Sequence, residues 1–545
     1  MPHISLNSSS RPNPTESVDF IHKQKSDFWK KEQERKLIRL FQWCAKNVPA
    51  YRDFLKKKRI DSKKISTIKT YENFKAIVPS IGKGNYLRAY PWEDLCAPSA
   101  LERQPLVLTS TSGSTGLPFY FPRNGSIDMH SSVYHEMFLR NSGIIAGAGG
   151  EKNGQKKDGQ SGQSTLIIVC FGMGVWIGGV ITYQAFRHIA DRGYSLTIIT
   201  PGVNKKEIYE ALKNVGPKYD KIILCAYPPF MKDIVDEAKE NGVDWKALDI
   251  RMVFAAESFS EKFRDYIMKK TGMTDPCCHT ASVYGSADLG TMAMETPIAI
   301  LIRRLVLQET PTAKRLYKKL FGGAGRLPTL AQYIPSFVNF ETMEKNVYLS
   351  GDNAMPLVRY EIGDNGGTHY FSDVEKMFAE EGIDLRAEAR KAGIADTVAE
   401  LPFVYIYERT DLSTKLYGAI IYPEYIKHGL QHDGLEDYIT GKFVMSTEHD
   451  KQQNEYLEIN IELKKGVTVS DELREKVAER IHAALIKHSA EHANNFNMLK
   501  EKVIPRTVFW PHEHPTHFSL GTKQKWVKKA TLCDRAAVKG VRKDA

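Results

Sequence analysis

Cysteine is sparse in this chain: seven in 545 residues, at positions 44, 96, 170, 225, 277, 278 and 533, with no two spaced C-x-x-C. That spacing supports neither a disulfide framework nor a zinc ribbon. No G-x-S-x-G elbow occurs, which argues against a serine hydrolase. No internal repeat is visible. The N-terminus carries no charged-then-apolar leader, so the chain is expected to be cytoplasmic. The uncharged run 166–186 is long enough to span a bilayer, but glycines at 172, 174, 178 and 179 interrupt it. A buried strand over 165–171, a glycine turn and a helix from about 179 to 192 are expected there, and no membrane span.

What is present is the composition of a globular protein, 42% apolar and 26% charged, long enough for two or more cores. The net charge is +11, unevenly spread: 520–545 holds eight Lys/Arg against two Asp. A basic tail can bind nucleic acid or an anionic surface. No aromatic-interleaved RNA motif or zinc-finger pattern accompanies it, so a nucleic-acid partner is not expected. His512, His514 and His517 form H-x-H-x-x-H between Pro511 and Pro515. The prolines favour a loop, and a metal site is not expected.

Read in order, 1–16 is Ser/Pro/Asn-rich and 19–58 is helical in pattern, interrupted where Val48 precedes Pro49. The Gly/Lys/Gln-rich stretch 143–162 reads as an exposed insertion. From residue 165, short apolar runs alternate with helical runs through 272. That alternation predicts crossover units on a mostly parallel sheet, an α/β fold whose ligands gather at the carboxyl ends of strands. The basic stretch 296–334 resists placement. Near 411 a smaller α+β unit begins, with a strand over 457–463 and a helix over 471–489. The expected division is therefore a large α/β domain, 1–410, and a small mobile domain, 411–545.

The stretch around which the chain is organised is 106–118, LVLTSTSGSTGLP. An apolar run enters a loop of Ser, Thr and Gly that can aim backbone N–H groups and hydroxyls at a polyphosphate. Gly113 and Gly116 let the backbone turn and approach a ligand. No Lys follows the last Gly, so this is not a Walker A loop, and the same composition suits a surface loop.

Further stretches follow in a fixed order: 255–260 (AAESFS), 284–288 (YGSAD), 359–364 (RYEIGD), 409–418 (RTDLSTKLYG) and 521–525 (GTKQK). Together with TSGSTGLP they resemble the adenylate-forming enzyme superfamily. Within it, NVPAYR at 47–52 and FGMGVWIGG at 171–179 are similar to the phenylacetate–CoA ligase branch. The resemblance implies a two-step reaction. A carboxylate attacks the α-phosphate of ATP, giving acyl-adenylate and pyrophosphate; a nucleophile, often the thiol of CoA, then displaces AMP.

It also implies roles. Thr111, Ser112, Gly113, Ser114, Thr115 and Gly116 would hold the β- and γ-phosphates. Ala256 and Glu257 would flank adenine, and Tyr284, Gly285 and Ser286 would form its other wall. Asp288 would be the Mg²⁺ ligand in place of the family's usual Glu, and oxygen donors suit that ion. Asp364 would accept the ribose hydroxyls, Arg409 would reach ribose or phosphate, and Asp411 would be the hinge. Lys523 would bridge the attacking carboxylate and the α-phosphate, with Lys525 as its rival. The family's Gly before the junction Arg is Glu408 here, and its Gly before the terminal Lys is Thr522. The acid is expected to be aryl or medium-chain acyl, in a pocket drawn from 134–138, 171–179 and 227–230. The acceptor could equally be an amine, a protein or a carrier domain. An inactive nucleotide-binding scaffold and a basic binding protein are the remaining readings.

Overall fold

A computed structural model describes residues 17–103, 105–110, 119–145, 164–174, 177–322, 327–409, 413–430, 434–435, 437–515 and 517–518. The chain opens with helices Val18–Lys23, Ser26–Asn47 and Pro49–Lys57. The second stops where Val48 takes an extended conformation (φ −102°, ψ 113°) before Pro49, and Pro49 starts the third at its N1 position. Their buried face is aromatic: Phe41 meets Tyr51 and Phe74 edge-on at 6.2 and 6.0 Å.

The strands of the described residues are labelled β1 to β18 in chain order. The first two are β1 (Val107–Ser110) and β2 (Tyr120–Arg123), an antiparallel pair. Next come β3 (Thr165–Val169), β4 (Leu196–Ile199), β5 (Lys221–Ala226), β6 (Ile250–Ala255) and β7 (Thr280–Ser286). These five pair in parallel, in the order β7-β6-β5-β3-β4. β3 is buried at every position, as a strand covered on both faces should be. Helices Ile177–Ala190, Pro228–Glu237 and Glu261–Thr271 lie between successive strands. The last is punctuated in the usual way: Ser260 caps its first turn by accepting from Phe263 N, and Gly272 ends it at φ +78°.

The sheet continues through β8 (Gly290–Met294), β9 (Thr329–Gln332), β10 (Val338–Met343), β11 (Asn346–Gly351), β12 (Leu357–His369) and β13 (Phe403–Arg409). Among the described residues it has eleven strands, in the order β10-β11-β12-β13-β9-β8-β7-β6-β5-β3-β4. The stretch 296–334 supplies helices Pro297–Leu305 and Pro311–Phe321 and the strand β9.

The chain divides into two compact units. The larger is built from Met1–Ser110, Tyr120–Ala226 and Ile234–Glu408. The smaller is built mainly from Arg409 onward and includes Tyr227–Asp233. Its strands are β14 (Thr414–Leu416), β15 (Ala419–Ile421), β16 (Ile439–His449), β17 (Glu455–Leu463) and β18 (Arg506–Trp510). β16 and β17 pair antiparallel, β17 and β18 in parallel. Helix Asp471–His488, capped by Ser470, buries Leu473, Val477, Ile481 and Leu485. Among the described residues no helix is long and apolar enough to cross a membrane. The run 166–186 is divided between β3 and helix Ile177–Ala190.

Candidate active site

The larger unit gathers seven of the sequence-nominated residues at the carboxyl ends of β6 and β7, where ligands of parallel sheets bind. β6 ends at Ala255, which pairs with Val283, one residue before Tyr284 on β7. Ala256 and Glu257 therefore leave the sheet beside Tyr284. Ala256 holds φ +72° and is exposed, while Glu257 is buried. A left-handed backbone at a residue other than glycine costs energy and is found where the surroundings enforce it.

The loop after β6 is anchored three residues further on, by a buried ion network that the sequence did not reveal. Arg303 Nη2 donates to Phe259 O at 2.8 Å, fastening the loop after β6 to helix Pro297–Leu305. Arg303 pairs with Glu295 at 2.6 Å, and Arg264 pairs with Glu295 at 2.8 Å and Glu261 at 2.9 Å. Arg264 also donates to Thr280 at the start of β7. Two guanidinium and two carboxylate groups thus share one buried cluster, the arrangement in which buried charge is tolerated.

Asp364 reaches the same place from β12. Between the pairs Tyr348–Glu361 and Asn346–Asn365 the ladder slips: residues 362, 363 and 364 stand opposite Val347 alone. Gly363, at φ +87°, makes that bulge affordable. The hydroxyl of Tyr284 donates to Asp364 Oδ2 at 2.6 Å, and Asp364 is 7% exposed. Tyr284 also packs its ring against Phe340, centroids 6.0 Å apart. Gly285 sits at a register shift between β7 and β8, where a Cβ would come within 2.8 Å of Gly290 O. Ser286 Oγ points to Met292 Sδ at 3.6 Å.

Asp288 lies in the three-residue turn joining β7 to β8, between the paired residues Ser286 and Gly290. Gly290 closes the turn at φ +71°, where a Cβ would strike Ile127 and Ile181 at 2.5 and 2.7 Å. Asp288 is buried. Its backbone oxygen accepts from Asn353 Nδ2 at 3.5 Å, and the oxygen of Ala287 accepts from Thr109 Oγ1 at 3.0 Å. Thr109 belongs to β1, two residues before position 111. Thr111, Ser112, Gly113, Ser114, Thr115 and Gly116 lie outside the described residues, but the strands on either side are paired, Ser110 with Tyr120. Below that pair Arg123 is buried against Asp128 at 3.0 Å. Burial pushes the Asp128 carboxyl up to about 6 despite the neighbouring guanidinium.

Arg359, upstream of Asp364, serves the fold. It holds φ +51°, pairs with Glu341 at 3.3 Å, and donates to Lys75 O and Val78 O at 3.1 and 2.6 Å. Arg409 closes β13, with its side chain outside the described residues. Asp411, Lys523 and Lys525 also lie outside them. Of the nominated acid pocket, Tyr134 is core: its hydroxyl donates to Met292 O at 2.9 Å and accepts from Ile334 N at 2.8 Å. With Met137, Phe138 and Cys277 it borders a small cavity with room for about one water.

No protein-family model and no curated protein matches the chain. Solved structures do. 2-Hydroxyisobutyryl-CoA ligase, in complex with 2-HIB-AMP and CoA in its thioesterification state, superposes with a TM-score of 0.60 at 13% identity, covering 99% of this chain and 96% of its own. The same ligase in the postadenylation state with R3-HIB-AMP gives 0.50 at 13% identity, with the same coverage. At such identities the likeness speaks for the fold: this chain has the fold of the AMP-forming adenylate enzymes, a large α/β unit followed by a C-terminal unit.

Proposed function

We propose that the chain uses ATP to adenylate a carboxylic acid and then passes the acyl group to a nucleophile, with CoA as the acceptor. The observation that carries the reading is the 2.6 Å contact between Tyr284 and Asp364, 80 residues apart, beside the end of β6 on an adenylate-enzyme fold. An aromatic face next to a buried carboxylate suits a nucleoside: the ring takes the base, and the carboxylate accepts ribose hydroxyls.

In the first step a carboxylate oxygen bonds to the α-phosphorus and the bond to pyrophosphate breaks. In the second the acceptor sulfur bonds to the acyl carbon and AMP leaves. Charge accumulates on phosphate oxygens throughout, so the protein's task is positioning and electrostatic stabilisation. Hydroxyls and backbone N–H groups of 111–116 would hold the outer phosphates. A buried carboxylate on a fixed turn fits magnesium, which takes oxygen ligands; Asp288 would hold it, and the ion would neutralise phosphate charge. Lys523 would supply the mobile cation for the attacking carboxylate. Arg409 would approach ribose or phosphate, and the smaller unit would turn about Asp411 between the two steps. The phenylacetate–CoA ligase branch, an aryl or medium acyl acid and a cytoplasmic setting belong to the same proposal.

The solved relative that holds both an acyl-AMP and CoA supports the thioester-forming version. The test is a screen of aryl and medium-chain acids for acid-dependent exchange of pyrophosphate into ATP, followed by assay of CoA, amines and carrier thiols as acceptors for whichever acid responds.

A further inference from the structure

The short ribbon of β1 and β2 buries the wrong residue for an ordinary amphipathic strand. Along β1, Val107 and Leu108 are 39% and 49% exposed, while Thr109 is 2% exposed. A strand that turns two apolar side chains to solvent and a hydroxyl inward has broken its local pattern, and such breaks mark places where function outweighs packing. A buried hydroxyl also needs a partner. Thr109 Oγ1 has two acceptors in range: Phe121 O across the ribbon at 3.3 Å and Ala287 O at 3.0 Å. It carries one proton, and the shorter contact leads out of the ribbon to the turn that bears Asp288.

This contact is a direct side-chain tether between β1, which enters 111–118, and the turn joining β7 to β8. The turn is otherwise located from its far side, by Gly290 against Ile127 and Ile181, and by Asn353 at 3.5 Å from Asp288 O. A carboxylate that is to meet a cation must be held in place on its turn. A hydroxyl bonded to the carbonyl next to that carboxylate provides such a hold.

We propose that Thr109 is a positioning residue: its hydroxyl couples the strand entering the 111–118 loop to the Asp288 turn and so sets the metal dependence of adenylation. The proposal rests on the adenylation reading given above. It concerns the hydroxyl, not the methyl or the volume, and that separates it from simple packing.

The test compares Thr109→Val, Thr109→Ala and Thr109→Ser in the full-length protein. Val preserves shape, Ala removes the group without adding bulk, and Ser keeps the hydroxyl. Two measurements are made: the Mg²⁺ concentration giving half-maximal acid-dependent pyrophosphate exchange, and amide hydrogen exchange in peptides spanning 286–290. Losing the hydroxyl leaves a half-buried carbonyl without its Thr109 donor, which should raise the Mg²⁺ requirement about tenfold in the Val and Ala variants. Both should speed hydrogen exchange at 286–290, and Ser should restore both readings to within about twofold of the parent. An unchanged Mg²⁺ requirement in the Val and Ala variants overturns the proposal. So does a Ser variant as impaired as Val, which would make the residue a packing element. If the parent exchanges no pyrophosphate with any acid, the adenylation reading fails on its own. Hydrogen exchange at 286–290 then decides the coupling: equal rates in parent, Val and Ala would end it.

Discussion

The hydroxyl of Tyr284 donates to Asp364 Oδ2 at 2.6 Å, joining the end of β7 to the bulge in β12. The bond orients one carboxylate oxygen beside the tyrosine face. Asp364→Ala should therefore weaken ATP binding by about 1.5–3 kcal/mol, the worth of a hydrogen bond to a charged group. Tyr284→Phe keeps the aromatic face and should cost less. Calorimetric titration with ATP checks both; parental affinity in the Asp364 variant would remove that residue from the site.

Asp288 is buried on a turn held from both sides. Asp288→Ala should abolish metal-dependent turnover. Asp288→Glu should retain or improve it, because the added methylene brings the carboxylate to the length common in the adenylate-forming enzymes that the sequence resembles. Turnover against Mg²⁺ concentration distinguishes the two, and a parental rate in the Ala variant would place the metal elsewhere.

Substitution of the two lysines near the C-terminus tests the half-reactions separately. Lys523→Ala should slow adenylation by roughly 10²–10³, as loss of a preorganised donor does elsewhere. It should still transfer the acyl group from a synthetic acyl-adenylate. Lys525→Ala should leave both steps near normal. The reverse outcome would shift the catalytic position by two residues.

A pH dependence follows from His492 in the smaller unit. Its side chain is fully buried, and neither ring nitrogen has a hydrogen-bond partner. Burial, and then the neighbouring His482, holds its pKa down to about 4. In the unfolded chain it would titrate at about 6.5. Above pH 6.5 both states are neutral and the contribution to stability is fully present. As pH falls from 6.5 towards 4 the unfolded chain binds a proton that the folded one refuses. Stability should then drop by about 1.4 kcal/mol per pH unit. Denaturant titrations at pH 7, 6 and 5 should show at least this slope, since burial also holds His482 and His488 down, and His492→Phe should reduce it.

The alternation of β3 to β7 with helices was legible because those strands are short, apolar and bounded by turn residues. The stretch 296–334 was not. Helix Pro297–Leu305 buries every residue from Pro297 to Arg303, so an arginine stands inside where the helical period calls for an apolar residue. Arg303 can be buried only because Glu261 and Glu295 meet it, and sequence spacing does not announce that. Tyr284 and Asp364 could each be nominated from local motifs. Their contact could not, because it joins β7 to a bulge in β12, 80 residues further along the chain; Gly363 was its one local sign. Thr109 was passed over within a stretch of hydroxyl residues. Its distinguishing mark, burial beside two exposed apolar neighbours, exists only in the folded chain.

Exchange of labelled pyrophosphate into ATP measures the proposed formation of an acyl-adenylate by this chain, whatever the acceptor. With the right acid and Mg²⁺, the parent should show exchange that depends on the acid, and Asp364→Ala should show it only at raised ATP concentration. No acid-dependent exchange across aryl and medium-chain acids, with ATP still bound at Tyr284 and Asp364, would contradict the account and leave a nucleotide-binding scaffold.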